Sequence, residues 1–223
     1  NIMVFIYIKI ILLINIKFIK FELYIICYKN INYTIIMNNK GNIFFDETKH
    51  DWRNGRCSYC GASQSEYERE EGLESHAYQF IHNNLPDKIK HMKFDVIIGN
   101  PPYQLATGGA QSQATPLYDK FVLQAKKMNP RYLAMIIPSR WFSGGMGLND
   151  FRSEMLNDGR IRKLVDYPLS SECFPGVEIK GGVCYFLWDR NNSGKCNVVT
   201  IRNNNKTTSE RFLLEEGNDI FIR

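Results

Sequence analysis

Apolar residues follow two different rhythms along this chain. Val96-Ile97-Ile98 is a continuous apolar run, opened by Phe94-Asp95 and closed by Gly99. Runs of that kind belong to strands buried on both faces. From Pro116 to Met128 the apolar positions Leu117, Phe121, Val122 and Ala125 recur at helical spacing, with Lys120, Lys126 and Lys127 outside. That is an amphipathic helix, and Asn129-Pro130 stops it. Asp150 to Asn157 predicts a second, short helix ended by Asp158-Gly159. Strand and helix thus alternate from Phe94 to Tyr167, which predicts an α/β fold with a mostly parallel sheet. Val177 to Trp188 is strand-like, with Gly181-Gly182 as a turn or bulge. After Asp189 an Asn/Ser/Gly cluster marks a linker, Asn197 to Arg202 reads as a further strand, and Lys206 to Arg223 offers little pattern.

Upstream the rhythm is weaker. Glu66 to Glu71 reads as a solvated helix face, Ala77 to His82 as a core strand ahead of the Val96 strand, and Leu85 to Met92 as a short helix or loop. Residues 1–39 stand apart: they contain no Gly, Pro, Ser or Arg and are built almost wholly from Ile, Asn, Lys, Phe, Tyr and Leu. Lys9, Lys17, Lys20, Glu22 and Lys29 interrupt every window, so no uncharged run reaches the ~18 residues of a membrane helix. The charges also come too late for a signal peptide. The alternation Ile6-Tyr7-Ile8-Lys9-Ile10 is strand-like, so buried structure is one reading of this segment and membrane association another. The preferred reading is translation of AT-rich DNA upstream of, or out of frame with, the gene, with Met37 as a more natural start. The expected organisation is therefore an atypical segment over 1–40, a polar insert over 41–91, an α/β core over 92–190 and the start of a C-terminal extension over 191–223.

The chemistry concentrates where the apolar strand ends, in Asn100-Pro101-Pro102-Tyr103. The two prolines fix two successive φ angles and remove two N–H donors, and each holds the residue before it extended. The result is a stiff loop at the carboxyl end of a strand, where ligands bind in open α/β sheets. The Asn100 side-chain oxygen and the Pro101 carbonyl remain as acceptors for one exocyclic NH2 group. Such a nitrogen has its lone pair delocalised; two acceptors draw it toward tetrahedral geometry and localise the pair for attack on an electrophilic methyl group. Positioning and preorganised dipoles would supply the rate. Tyr103 offers a flat face for the ring, and such stacking is worth roughly 1–3 kcal/mol. The plainer reading of Asn-Pro-Pro-Tyr is a strand-to-loop turn. The net charge of +5 is compatible with a nucleic-acid partner without requiring one.

In these residues the chain resembles the S-adenosylmethionine-dependent amino-methyltransferases that carry (Asp/Asn)-Pro-Pro-(Tyr/Phe), and most of all the adenine-N6 DNA methyltransferases of restriction-modification systems. Gln104 and the Gly/Gln/Ser/Thr-rich loop Leu105 to Thr115 extend the likeness. Arg131 to Phe142 is similar to that family's next core strand and loop, and Ile161 to Tyr167 to the strand after it. Cys173 to Val177 and Gly181 to Trp188 are similar to the closing pair. The resemblance implies a partial Rossmann-like methyltransferase core acting on double-stranded DNA in a prokaryotic cytoplasm, with no membrane expected. It implies that Asn100 and Pro101 hold the target N6 amine, that Pro102 stiffens the loop and that Tyr103 stacks on the flipped adenine. No glycine-rich turn for S-adenosylmethionine is visible in residues 1–93, so the chain reads as the middle of a larger enzyme. Two rivals stand beside this reading. One is the same chemistry on an RNA base or a glutamine amide; the other is a non-catalytic remnant. Arg140 and Trp141, at the end of a predicted strand, are candidates for a phosphate contact and a base stack, or else a cap and a packed aromatic.

Cys57-Ser58-Tyr59-Cys60-Gly61 is one half of a zinc knuckle, and zinc needs four ligands. His50 and His76 are the nearest further candidates, with His82 and His91 beyond; His82 reads more readily as packing or surface. A reduced, unliganded thiol pair is the alternative. Cys184, inside an apolar strand, behaves as a small hydrophobe.

Overall fold

The computed structural model describes residues 22–27, 32–35, 50–67, 78–82, 93–104, 115–215, 217–218 and 221–223. Its strands are β1 (Glu22–Cys27), β2 (Asn32–Ile35), β3 (Trp52–Arg53), β4 (Arg56–Cys57), β5 (Val96–Asn100), β6 (Tyr132–Pro138), β7 (Ile161–Tyr167), β8 (Val183–Asp189), β9 (Cys196–Arg202) and β10 (Asn205–Arg211). Its helices are α1 (Gln64–Tyr67), α2 (Tyr78–Ile81), α3 (Tyr118–Lys127) and α4 (Asn149–Asn157). Short 3₁₀ turns cover Ser139–Phe142 and Ser170–Glu172. The chain divides into two compact units.

One unit holds Ile98–Asn100 and Arg131–Arg223. Its strands lie in the order β10-β9-β7-β8-β6, with the end of β5 beside β6. β8 is antiparallel to both β6 and β7, β7 is parallel to β9, and β9 is antiparallel to β10. The mostly parallel sheet expected from the alternation is thus corrected to a mixed one. A parallel crossover needs a dozen or more residues, usually a helix. β6 and β7 have that in α4 and run the same way. The link from β7 to β8 is long enough to cross but carries only a 3₁₀ turn and no crossover helix, and β8 returns antiparallel between them. A two-residue turn, Asn203-Asn204 with both φ positive, joins β9 to β10; this mirror-image turn suits hairpin twist. The apparently patternless stretch after Lys206 is thereby largely a strand.

Cys173 to Val177, expected as a strand, is a packed loop. The Ser170 hydroxyl donates to the Val177 carbonyl (2.9 Å) and accepts from the Ile179 N–H (2.7 Å), closing the loop on itself. Phe174 is buried with Ile136 and Val183, and Cys173, Val177 and Ile179 pack against them.

The second unit holds Glu22–Ile97 and Pro101–Pro130. There the start of β5 is followed by β1 and β2 in sheet order, β1 pairs antiparallel with β2, and β3 pairs with β4 in a separate hairpin. α3 buries Tyr118, Phe121, Val122 and Ala125, the expected face. It ends where Asn129 takes φ +52 and donates to the Lys126 carbonyl (2.9 Å), ahead of Pro130. The Ala77–His82 strand is corrected to the helical turn α2: a short apolar run does not separate strand from buried helix. Residues 1–21, Leu85 to Met92, residues 105–114 and most of Glu66 to Glu71, with the elements expected there, lie outside the described residues. Among the described residues no helix is long and apolar enough to cross a membrane.

Gly182 has φ +84, and a Cβ there would run into the Tyr167 carbonyl and lie 2.8 Å from Pro168 Cα. Gly145, at φ +80, has open space. Gly182→Ala is expected to cost roughly 3 kcal/mol through strain and overpacking, against about 1 kcal/mol for Gly145→Ala. Urea unfolding followed by tryptophan fluorescence checks the difference; equal costs would mean that the backbone at Gly182 yields freely.

Candidate functional site

β5 is buried at Val96, Ile97, Ile98 and Gly99 and reaches partial exposure only at Asn100. The sequence folds this way because its four inner residues have no polar side chain to lead to water. Pro101 and Pro102 are buried and Tyr103 half-buried. The Asn100 Oδ1 atom and the Tyr103 hydroxyl are both shielded from solvent. Beyond the motif, Gln104 bridges to Pro116, and the Leu117 N–H donates to the Tyr103 carbonyl (3.1 Å). The two ends of the intervening loop are thereby tied together, and α3 starts directly from the tie.

The turn after β6 is built from a different set of contacts. The Ser139 hydroxyl donates to Asp166 Oδ1 on β7 (2.7 Å), and Arg223 Nε donates to Asp166 Oδ2 (2.7 Å). Asp166 is fully buried. Burial pushes its carboxyl up from the usual range, and the Arg223 and Ser139 bonds oppose that rise. Trp141 is also fully buried, edge-on to Phe142 (4.7 Å) and to Phe151 (5.8 Å). Its indole is a packed aromatic in this structure, with neither face open to a base. Arg140 stays partly exposed beside Met146. Phe221 packs on Phe142 (4.3 Å) and donates its N–H to the Phe142 carbonyl (3.3 Å). Asp166, Ser139 and Arg223 were not legible as a set, since they are far apart in the chain.

The half-knuckle gains partners. His50, Cys57, Cys60 and His82 bring one ligand atom each within 4.8 Å of one another. Cys60 Sγ lies 3.5 Å from His50 Nδ1, and Cys57 Sγ lies 3.9 Å from His82 Nε2. Cys57, Cys60 and His82 are buried and His50 half-buried. Burial pushes the Cys60 thiol up to about 12, with the Cys57 thiol adding to the rise; the Ala62 backbone bond and the Lys120 ammonium oppose it. Asn54 (φ +52) and Gly55 (φ +73) form the two-residue turn between β3 and β4 that delivers Cys57. That Asn-Gly pair was the available signal for a hairpin here. His76 and His91 lie outside the described residues.

The sequence profile of the family described as Eco57I restriction-modification methylase matches residues 8–174. The chain belongs to that family. The match takes in much of the compositionally odd N-terminal segment. This Eco57I-family chain is 36% identical over 178 residues to an "uncharacterized adenine-specific methylase" of Mycoplasma pneumoniae, covering 73% of the chain and 42% of that relative. It is 30% identical over 144 residues to a putative type II restriction enzyme and methyltransferase of Methanocaldococcus jannaschii, covering 60% of the chain and 12% of that relative. The chain thus spans less than half the length of the curated relatives it matches. Among solved structures, the type I restriction-modification methyltransferase subunit from Streptococcus thermophilus has 16% identity and a TM-score of 0.39, over 65% of this chain and 31% of that one.

The packing of Trp141 predicts that Trp141→Ala costs about 3–5 kcal/mol of stability, whereas Arg140→Ala stays within roughly 0.5 kcal/mol. Denaturant titration of both variants measures this. A stable Trp141→Ala protein would show that the indole is not needed for packing.

Proposed function

We propose that the chain carries the target-amine half of an adenine-N6 DNA methyltransferase in a restriction-modification system. The observation that supports this most is the fully buried strand β5 ending at Asn100-Pro101-Pro102-Tyr103, within a chain of the Eco57I restriction-modification methylase family. The adenine-specific name borne by the Mycoplasma relative favours adenine over the RNA-base and glutamine readings.

In this reading Asn100 Oδ1 and the Pro101 carbonyl accept from the two N–H bonds of the N6 amine. They concentrate the lone pair on nitrogen and hold it in line with the incoming methyl group. Buried Pro101 fixes the φ that lies between the two acceptors, and buried Pro102 fixes the next φ beyond them. Tyr103 stacks on the extruded base. Asn100 Oδ1 and the Tyr103 hydroxyl are shielded, so the base enters with a local rearrangement around them. Arg140 contacts a DNA phosphate, and Trp141 supports it from the core.

S-adenosylmethionine supplies the electrophilic methyl group when bound. None of the described residues forms a recognisable glycine-rich cradle for it. Zinc is the second cofactor of the reading, held at the Cys57–Cys60 turn. Residues 41–91 serve as the insert and 92–190 as the partial core; a cytoplasmic setting follows from the substrate.

The test is nucleoside analysis of DNA and RNA treated with the complete enzyme and S-adenosylmethionine. N6-methyladenine is expected in DNA. Asn100→Ala is expected to lower transfer by at least roughly 10²–10³-fold with the fold intact. Tyr103→Ala should lose the stacking contribution of about 1–3 kcal/mol. Near-normal transfer by Asn100→Ala, or methylation confined to RNA, would overturn the reading.

A further inference from the structure

We propose that His50, Cys57, Cys60 and His82 together bind one zinc ion in a closed tetrahedral site, and that this site braces the helix following the Asn-Pro-Pro-Tyr loop. The inference rests on the zinc part of the reading above and not on methyl transfer.

The donor set fits the ion. Zinc–sulfur bonds of about 2.3 Å and zinc–nitrogen bonds of about 2.0–2.1 Å put tetrahedral sulfur–nitrogen edges at about 3.6 Å. Two of the four sulfur–nitrogen separations, 3.5 Å and 3.9 Å, lie on either side of that edge, and all four donor atoms lie within 4.8 Å of one another, close enough to draw in around one ion. Soft thiolates with imidazoles exclude magnesium and calcium, which take oxygen donors. Four protein ligands leave no open position, the arrangement of a structural site rather than a catalytic one. Binding displaces the two thiol protons to solvent. The ion with two thiolates and two neutral imidazoles is then uncharged, so its enclosure among buried side chains costs no net buried charge.

The ligands come from three pieces of chain: His50 ahead of β3, the two cysteines at and after β4, and His82 at the end of α2. Their surroundings are already ordered. The His50 ring stacks on Trp52 (4.7 Å, 19°), and Tyr59 lies against His82 (5.2 Å). The Cys57 N–H donates to the Ala62 carbonyl and the Gly61 N–H to the Cys57 carbonyl (both 2.9 Å), which closes the knuckle turn.

Two contacts carry this centre to α3. Lys120 Nζ donates to the Tyr59 carbonyl inside the knuckle (2.8 Å). Phe80, two residues before His82, stacks on Phe121 (5.8 Å, 16°). The ligand-bearing segments therefore grip α3 at two successive residues near its start. The same end of α3 is tied through Leu117 to the Tyr103 carbonyl. The metal thus holds α3 in the place from which it fixes the exit of the motif loop, and all these residues lie in one unit.

The experiment uses the full chain. Metal content is measured by mass spectrometry, and cobalt(II) is substituted for zinc to read the thiolate-to-metal absorption. Expected are one zinc per chain, a tetrahedral cobalt spectrum with thiolate character, loss of the metal in Cys57→Ser and His82→Ala, and retention in His50→Cys. Chelation should speed hydrogen exchange of the α3 amides. If the single variants fail to fold, the cobalt spectrum of the unaltered chain decides. A chain without zinc that gives no thiolate–cobalt band, or one holding a Cys57–Cys60 disulfide, would overturn the site. Unchanged α3 exchange after chelation would overturn the brace. Neither result bears on the methyl-transfer assay.

Discussion

A strand buried on both faces can present chemistry only at its ends. β5 has no polar side chain between Val96 and Gly99, so Asn100 is the first place where a functional group emerges. Everything around the motif follows from that exit. Two prolines keep the emerging backbone from folding back as helix, and the Tyr103–Leu117 hydrogen bond with the Gln104–Pro116 bridge returns the chain to α3.

The other unit secures its own turn by a different principle. Asp166 is a carboxylate with no exposure, and its two oxygens are taken up by a hydroxyl from the β6 turn and the guanidinium of Arg223. Removing Arg223 leaves a buried acid without its cation and with Oδ2 unmet, whereas removing Ser139 leaves Oδ1 only the longer Arg223 Nη2 bond (3.3 Å). Trp141 and Phe142 then fill the space beneath the same turn, which is why the aromatic that looked available for a base is enclosed.

What the sequence made legible divides along physical lines. Local signals held: the apolar run of β5, the amphipathic period and Asn129-Pro130 stop of α3, the α4 helix before Asp158-Gly159, and the β9 strand. Each depends on residues close in the chain. The antiparallel insertion of β8 was missed because strand direction depends on the path a connection takes, which local periodicity does not show, and the packed loop over 170–179 was missed because one serine replaces a ladder. The full Cys/His group was only half visible. The Cys57–Cys60 spacing is local, whereas His82 joins it from 25 residues away, through a helical turn that reads as a strand in isolation.

The Asp166–Arg223 pair has a bearing on how the molecule is made. Synthesis delivers a chain from its N-terminus, and units collapse as their residues emerge. β6, its turn and β7 are complete well before Arg223, which lies 57 residues beyond Asp166. During that interval Asp166 lacks its cation and Phe142 lacks Phe221. The turn bearing Arg140 therefore reaches its final packing only after Phe221 and Arg223 have been added. A nascent chain stalled short of that point displays an unfinished apolar surface, an opening for chaperones and proteases.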